Sequence, residues 1–149
     1  MLTKKESYNV AVVGATGIVG ESLLEILYSR RFPISSIHAV ASKKSKGSKA
    51  KFGDQLLTVE SLDEFNFTDI DIAFFSAGSS VSKEYATKAT TQGCIVIDNT
   101  SEFRYQQDIP LVVPEVNPQD IDLYKHKNII ANPNCSTIQM LVALKPLHD

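Results

Sequence analysis

The sequence predicts an α/β fold, a doubly wound and mostly parallel sheet with helices on both faces. Three observations point to it. The runs Val10-Ala11-Val12-Val13, Ile72-Ala73-Phe74-Phe75 and Ile95-Val96-Ile97 are apolar throughout, the pattern of strands buried on both faces. Segments of helical period lie between them, which is the order of βαβ units with right-handed crossovers. The first run also leads straight into a glycine-rich turn, Gly14-Ala15-Thr16-Gly17-Ile18-Val19-Gly20.

Taken in order, Val10 to Val13 is the first strand, closed by Gly14. Val19, Leu23, Ile26 and Leu27 then recur at helical spacing. That helix should fray near Arg30-Arg31-Phe32-Pro33, because proline disfavours helix in the residue before it. Residues 37–41 read as the second strand, followed by a polar, lysine-rich stretch over 42–51. Residues 55–59 make a weaker strand and 70–75 a strong one. A helix over about 80–91 crosses to Ile95-Val96-Ile97. Leu111-Val112-Val113 and Ile129-Ile130-Ala131 read as further short strands, and a last helix starts beside Cys135.

Composition narrows the function classes. A chain of 149 residues fits one domain with a real core, and 43% apolar with 21% charged residues is ordinary for a globular protein. The net charge of -2 argues against a nucleic-acid partner. No apolar run approaches the ~20 residues that cross a bilayer. Met1-Leu2-Thr3-Lys4-Lys5-Glu6 leads into a strand and not into a signal-peptide core. Cys94 and Cys135 are far apart with no CxxC pairing, so neither a disulfide scaffold nor a metal site is expected, which fits a reducing cytoplasm.

The glycine turn is a GxxGxxG variant of the Rossmann-like dinucleotide fingerprint. Gly14 permits the tight turn, Gly17 lets backbone N–H groups approach a pyrophosphate, and Gly20 allows close helix–strand packing. The helix N-terminus adds partial positive charge. The plain alternative is a turn that merely needs glycine. After the second strand, an NAD site usually carries an acid for the ribose 2′-OH. Here no Asp or Glu occurs between Glu25 and Asp54, and the position reads Ala41-Ser42-Lys43-Lys44-Ser45-Lys46-Gly47. Hydroxyl and ammonium groups suit a 2′-phosphate, so NADP is the expected cofactor. The alternative is a solvated lysine loop.

In Asn132-Pro133-Asn134-Cys135-Ser136-Thr137-Ile138-Gln139, either Ser136 (with Gln139) or Asn134 can cap a helix, and both put Cys135 at its start. There the helix dipole favours thiolate and free first-turn N–H groups can hold an oxyanion. Cys94 sits in an apolar strand and reads as structural. A nucleophilic thiol beside a nicotinamide implies thioester and thiohemiacetal chemistry on an aldehyde or activated acyl group.

The chain resembles the aspartate-β-semialdehyde dehydrogenases along essentially its whole length. The resemblance is carried by the glycine turn, the 41–47 segment, Phe75-Ser76-Ala77-Gly78-Ser79, Asp98-Asn99-Thr100-Ser101-Glu102-Phe103-Arg104, Val113-Pro114-Glu115-Val116-Asn117-Pro118 and Asn132-Pro133-Asn134-Cys135-Ser136-Thr137. It implies NADPH-dependent reductive dephosphorylation of L-4-aspartyl phosphate to L-aspartate 4-semialdehyde, a step of lysine, threonine, methionine and isoleucine biosynthesis. By the same resemblance Cys135 forms the thioester, Asn134 helps orient the intermediate, and Arg104 holds the substrate phosphate. Thr16, Gly17, Ile18 and Val19 line the pyrophosphate; Ser42, Lys44 and Ser45 face the 2′-phosphate; Ser76, Ala77 and Gly78 approach the nicotinamide.

The family's histidine base lies in a second domain, and His38, His126 and His148 match no such motif. Residues 1–132 are therefore expected to be the NADP-binding domain. Residues 133–149 would start the catalytic helix leading into a catalytic and dimerisation domain, with a homodimer formed by the full-length protein and the fragment alone inactive. Two positions depart from the family pattern: Lys44 stands where arginine is common, and Ser79 where glycine is usual. Two other readings compete. N-acetyl-γ-glutamyl-phosphate reductase shares the chemistry, but its cysteine follows proline-glycine and not Asn134. A non-catalytic NADP-binding module would leave Cys135 idle.

Overall fold

The computed structural model describes residues 4–149, so the reading of Met1-Leu2-Thr3 lies outside the described residues. The elements are β1 (Tyr8–Val13), α1 (Ile18–Ser29), β2 (Ile34–Ala41), β3 (Lys49–Phe52), β4 (Gln55–Thr58), β5 (Glu60–Ser61), β6 (Ile72–Phe75), α2 (Ser79–Thr91), β7 (Ile95–Asp98), β8 (Ile129–Ala131) and α3 (Cys135–His148). Short 3-10 turns cover Lys43–Ser45, Leu62–Glu64 and Pro118–His126.

Six strands form one sheet in the order β5-β2-β1-β6-β7-β8, and every pairing in it is parallel. Alternate residues of β1 feed two cores. Val10 and Val12 meet Ala39, Ala41 and the α1 residues Leu24 and Leu27 on one face. Ala11 and Val13 meet Val40, Ala73, Phe75, Val96 and the α2 residues Ala86 and Ala89 on the other. The sheet is thus doubly wound, as predicted. Full burial of each such valine contributes about 1.5–3 kcal/mol, which explains why the apolar runs do not alternate.

Helix α1 ends at Ser29, and the chain reverses through Arg31 at φ +50° before Pro33. Helix α2 starts at Ser79, with Gly78 at φ +99° taking the left-handed conformation. Ser79 itself is helical and its hydroxyl lies 3.0 Å from that of Ser101, so serine there brings no backbone strain. Among the described residues no helix is long and apolar enough to cross a membrane.

Three segments differ from the sequence reading. Part of the lysine-rich stretch forms β3, which pairs antiparallel with β4 through a turn at Gly53 (φ +58°). Ala50 is buried there while Lys49 and Lys51 stay exposed, and the Gly53 turn sits against the Tyr28 ring of α1. The expected strand at 55–59 forms as β4 but belongs to that hairpin, and the strand that joins the edge of the main sheet beside β2 is Glu60–Ser61, just beyond it. The expected strand Leu111-Val112-Val113 reduces to a single bridge between Leu111 and Ala131. Prolines 110 and 114 flank it, and the Val113 N–H donates to the Asn117 side chain at 2.8 Å instead of to a strand.

Candidate dinucleotide and thiol site

The chain enters the sheet at β1, moves outward through β2 and β5, then returns to β6 on the other side of β1. The C-terminal ends of β1 and β6 therefore form a topological switch point, where open α/β sheets bind ligands. Gly14 ends β1 at φ +91°, and a Cβ on it would lie 2.9 Å from Ser76 Oγ and 3.1 Å from the Ala77 nitrogen. Glycine here lets the two loops touch. The Ser76 N–H and hydroxyl both donate to the Val13 carbonyl, at 2.9 and 3.1 Å. Gly17 caps α1 in an extended conformation and its N–H donates to the Gly14 carbonyl at 3.0 Å. The N–H groups of the α1 first turn have no intrahelical acceptor, as at any helix start.

A cavity of about 680 Å³ opens at this edge. Its walls come from the glycine turn (Gly14, Thr16, Gly17), the segment after β2 (Ser42, Lys43, Lys44), the segment after β6 (Ser76, Ala77), the turn after β5 (Leu62, Asp63) and α2 (Val81, Tyr85). Seven of the predicted cofactor residues stand on it. Ser45, Ile18, Val19, Gly20 and Gly78 do not. Ile18 and Val19 are exposed beside the turn, Ser45 is half-buried behind Lys44, and Gly78 caps α2. Gly20 is buried, and a Cβ on it would stand 2.7 Å from the Ala15 Cα, so it packs the helix against the turn and lies off the cavity wall.

Sequence reasoning missed Lys43, Leu62, Asp63, Val81 and Tyr85. Val81 and Tyr85 are four apart on α2, a spacing that could have flagged them; Leu62 and Asp63 follow a two-residue strand too short to show a pattern. The Tyr85 hydroxyl donates to Asp63 Oδ1 at 2.9 Å, and that bond is the main reason its phenol is pushed up to about 12. A hollow of about 620 Å³ beside Arg31, Phe32 and Ile34 lies at the N-terminal end of β2, away from the crevice where such sheets bind ligands.

The thiol end is built after β7 and β8. Asn134 is the N-cap of α3, its side-chain oxygen accepting the Ser136 N–H at 2.9 Å, which decides between the two caps the sequence allowed. Cys135 is the first residue of the helix and is exposed. Cys94 is fully buried, and burial, reinforced by the Asp71 charge, pushes its thiol up to about 12. Arg104 donates Nε–H to the Asn132 carbonyl at 3.0 Å and an Nη2–H to the Asn99 carbonyl at 3.2 Å. A guanidinium has five N–H donors, so the remainder can meet an anion. Asn132 also donates its side-chain amide to Asn99 Oδ1. Cys135 is not on the cavity wall. It follows the C-terminal end of β8, which lies two strand spacings (about 10 Å) across the sheet from β6.

A glycine turn at the switch point of a doubly wound parallel sheet, open to a largely apolar cavity that carries hydroxyls and two lysines, defines a Rossmann-type nucleotide-binding domain. Cys135, exposed at the start of α3, lies at the same edge. The chain belongs to the family described as semialdehyde dehydrogenase, NAD binding domain, which matches residues 9–124.

Similar proteins agree. The chain is 57% identical over 141 residues to an aspartate-semialdehyde dehydrogenase of Legionella pneumophila, a match covering 95% of this chain and 41% of that protein. The crystal structure of aspartate semialdehyde dehydrogenase II from Vibrio cholerae complexed with ASA is 52% identical and superposes with a TM-score of 0.93, over 96% of this chain and 47% of that one. An aspartate semialdehyde dehydrogenase from Candida albicans, solved with NADP, gives 29% identity and a TM-score of 0.77 over 94% of this chain and 46% of that one. The chain thus spans less than half the length of these relatives.

Proposed function

We propose that this chain is the NADP-binding part of an enzyme that reduces L-4-aspartyl phosphate to L-aspartate 4-semialdehyde, and the reverse. The observation that carries this reading is the exposed Cys135 at a helix start, on the same sheet edge as a cavity bearing Ser42, Lys43 and Lys44. The donor set fits NADP: two ammonium groups and a hydroxyl follow β2, with no carboxylate among them to repel a 2′-phosphate, and the wall's one acidic residue, Asp63, accepts the Tyr85 hydroxyl. The first-turn N–H groups of α1 suit the pyrophosphate, and Ser76 and Ala77 mark the way toward the nicotinamide.

In the mechanism, Cys135 sulfur attacks the acyl carbon of the substrate while the remaining donors of Arg104 hold the phosphate. The carbon–sulfur bond forms, the carbon–oxygen bond to phosphate breaks, and a thioester remains. N–H groups of the α3 first turn stabilise the oxyanion, and Asn134 fixes the chain beside it. NADPH, held by the glycine turn and by Ser42, Lys43 and Lys44, would supply the hydride for the thioester carbon. The resulting thiohemiacetal releases the aldehyde and returns the sulfur. The family resemblance puts the histidine that moves the proton in a second domain.

On this reading residues 1–132 are the cofactor domain, and 133–149 lead into a catalytic and dimerisation domain of a cytoplasmic homodimer. The N-acetyl-γ-glutamyl substrate is disfavoured by Asn134 before the cysteine and by the relatives. The test is single-turnover kinetics on the full-length protein. Cys135→Ser should lower kcat at least about a thousandfold, and aspartate semialdehyde should outcompete the N-acetylated substrate. Activity retained in that variant, or a preference for the N-acetylated substrate, would overturn the proposal.

A further inference from the structure

Asp98 closes β7 and is completely buried. Its Oδ1 accepts the Ser82 hydroxyl of α2 at 2.6 Å, and its Oδ2 accepts the Thr100 hydroxyl at 2.7 Å. Its main-chain carbonyl accepts the Asn132 N–H at 2.8 Å. Among the described residues no lysine, arginine or histidine pairs with it. A buried acidic side chain without a cation is costly, and an apolar residue of similar size would often hold a sheet end as well. Its two oxygens, however, reach two different segments of the site.

The bonds run in sequence toward Arg104. Thr100 Oγ1, oriented by donating to Asp98, accepts the Glu102 N–H at 3.3 Å and so shapes the turn just before Arg104. The guanidinium then rests on the carbonyls of Asn99, which follows Asp98 in the chain, and of Asn132, whose N–H bonds the Asp98 carbonyl. Through Ser82 the same carboxyl grips α2 between Val81 and Tyr85, where the helix walls the cofactor cavity. One residue therefore ties three segments together: its side chain holds the cavity helix and the Arg104 loop, and its main-chain carbonyl holds the segment leading to Cys135.

We propose that Asp98, acting through Thr100, is a positioning residue that aims Arg104 at the substrate phosphate; this rests on the reading of Arg104 given above. The test uses the full-length enzyme in the aldehyde-oxidising direction, with inorganic phosphate as the varied substrate. Thr100→Val removes the hydroxyl at nearly constant shape and should raise KM for phosphate about tenfold, the worth of one lost hydrogen bond. In Thr100→Val, KM for NADP and kcat at saturating phosphate should change less than about twofold, and Asp98→Asn should raise KM for phosphate at least as much as Thr100→Val does. Thr100→Ser should restore the parent KM. Should Asp98→Asn fail to fold, Thr100→Val and its rescue decide alone. A uniform loss of active enzyme with all KM values unchanged would make the network merely structural and overturn the proposal. Arg104→Ala separates the two levels: if it raises KM for phosphate and the Thr100 variant does not, only the positioning role fails. If Arg104→Ala itself leaves that KM unchanged, the reading of Arg104 fails first, and the proposal with it.

Discussion

A Cβ placed on Gly20 would stand 2.1 Å from the carbonyl oxygen of Gly14. The third glycine of the turn therefore meets the first, backbone against backbone, and the start of α1 lies directly on the loop that closes β1. Because the obstructing atoms are main chain, no side chain can swing aside to make room. The approach fixes where the first-turn N–H groups point, so packing and the phosphate site depend on the same contact.

Gly20→Ala should destabilise the domain by about 3 kcal/mol, the upper range for overpacking a core. Gly17→Ala is the contrast, since its Cβ would meet only the Gly14 carbonyl oxygen at 3.4 Å. Urea midpoints of the two variants measure this. Equal midpoints would mean that the helix shifts freely, and the contact would lose its significance.

The two cysteines should react differently with a thiol reagent. Cys135 is exposed, and Cys94 is fully buried with its thiol held neutral by a value near 12. Native protein at pH 8 should take up one alkyl group, on Cys135, and denatured protein two. Peptide mapping by mass spectrometry reads the site directly. Modification of Cys94 in the native protein would contradict the packing described.

How far the sequence reveals this molecule depends on which contacts are local. Val10-Ala11-Val12-Val13 and Ile72-Ala73-Phe74-Phe75 are legible because strands covered on both faces must be apolar at every position. The glycine turn is legible because its spacing encodes its own geometry. Strand β3 is obscured by Lys49 and Lys51, which face solvent while Ala50 faces in, although the Gly53-Asp54 pair was a fair hairpin signal. Leu111-Val112-Val113 carries the right residues, yet its N–H groups are drawn to Asn117 and Ala131. Tyr85 reaches Asp63 only because α2 and the end of β5 are brought together in space, and nothing in a linear pattern records that.

Alkaline stability should report on Cys94. Its folded value, near 12, lies above the ordinary 9.0, so the folded state holds the thiol proton more tightly than the unfolded chain. The associated stability is complete below about pH 9 and is lost as pH rises toward 12, at up to about 1.4 kcal/mol per pH unit. Cys94→Ala should be less stable at pH 7, from lost packing, but should fall less steeply above pH 9. Tyr85, also raised, is present in both proteins and cancels in the comparison. Parallel curves in denaturant titrations at pH 8 to 11 would show that the buried thiol has no such influence.

Cofactor choice should turn on the 3-10 turn after β2. Of its lysines, Lys46 is paired with Glu64 at 2.5 Å and lies off the cavity wall, whereas Lys43 and Lys44 are on the wall. Among the described residues neither of those two has an acidic partner, so each can meet a phosphate without first giving up an ion pair. A charge-assisted bond to phosphate contributes about 1.5–3 kcal/mol. Lys44→Ala should therefore weaken NADP binding roughly tenfold to a hundredfold and leave NAD nearly unchanged, since NAD lacks the group. Lys44→Glu should go further and reverse the preference. Lys44→Arg should tighten NADP, because a guanidinium fork can hold two phosphate oxygens where an ammonium holds one. Calorimetric titrations with both nucleotides, at low and high salt, measure each step. Screening should shrink the NADP advantage in the parent protein, and shrink it less in Lys44→Ala, which keeps only Lys43 on the wall. An equal loss for NADP and NAD in Lys44→Ala would place the 2′-phosphate elsewhere and remove this turn from the cofactor site.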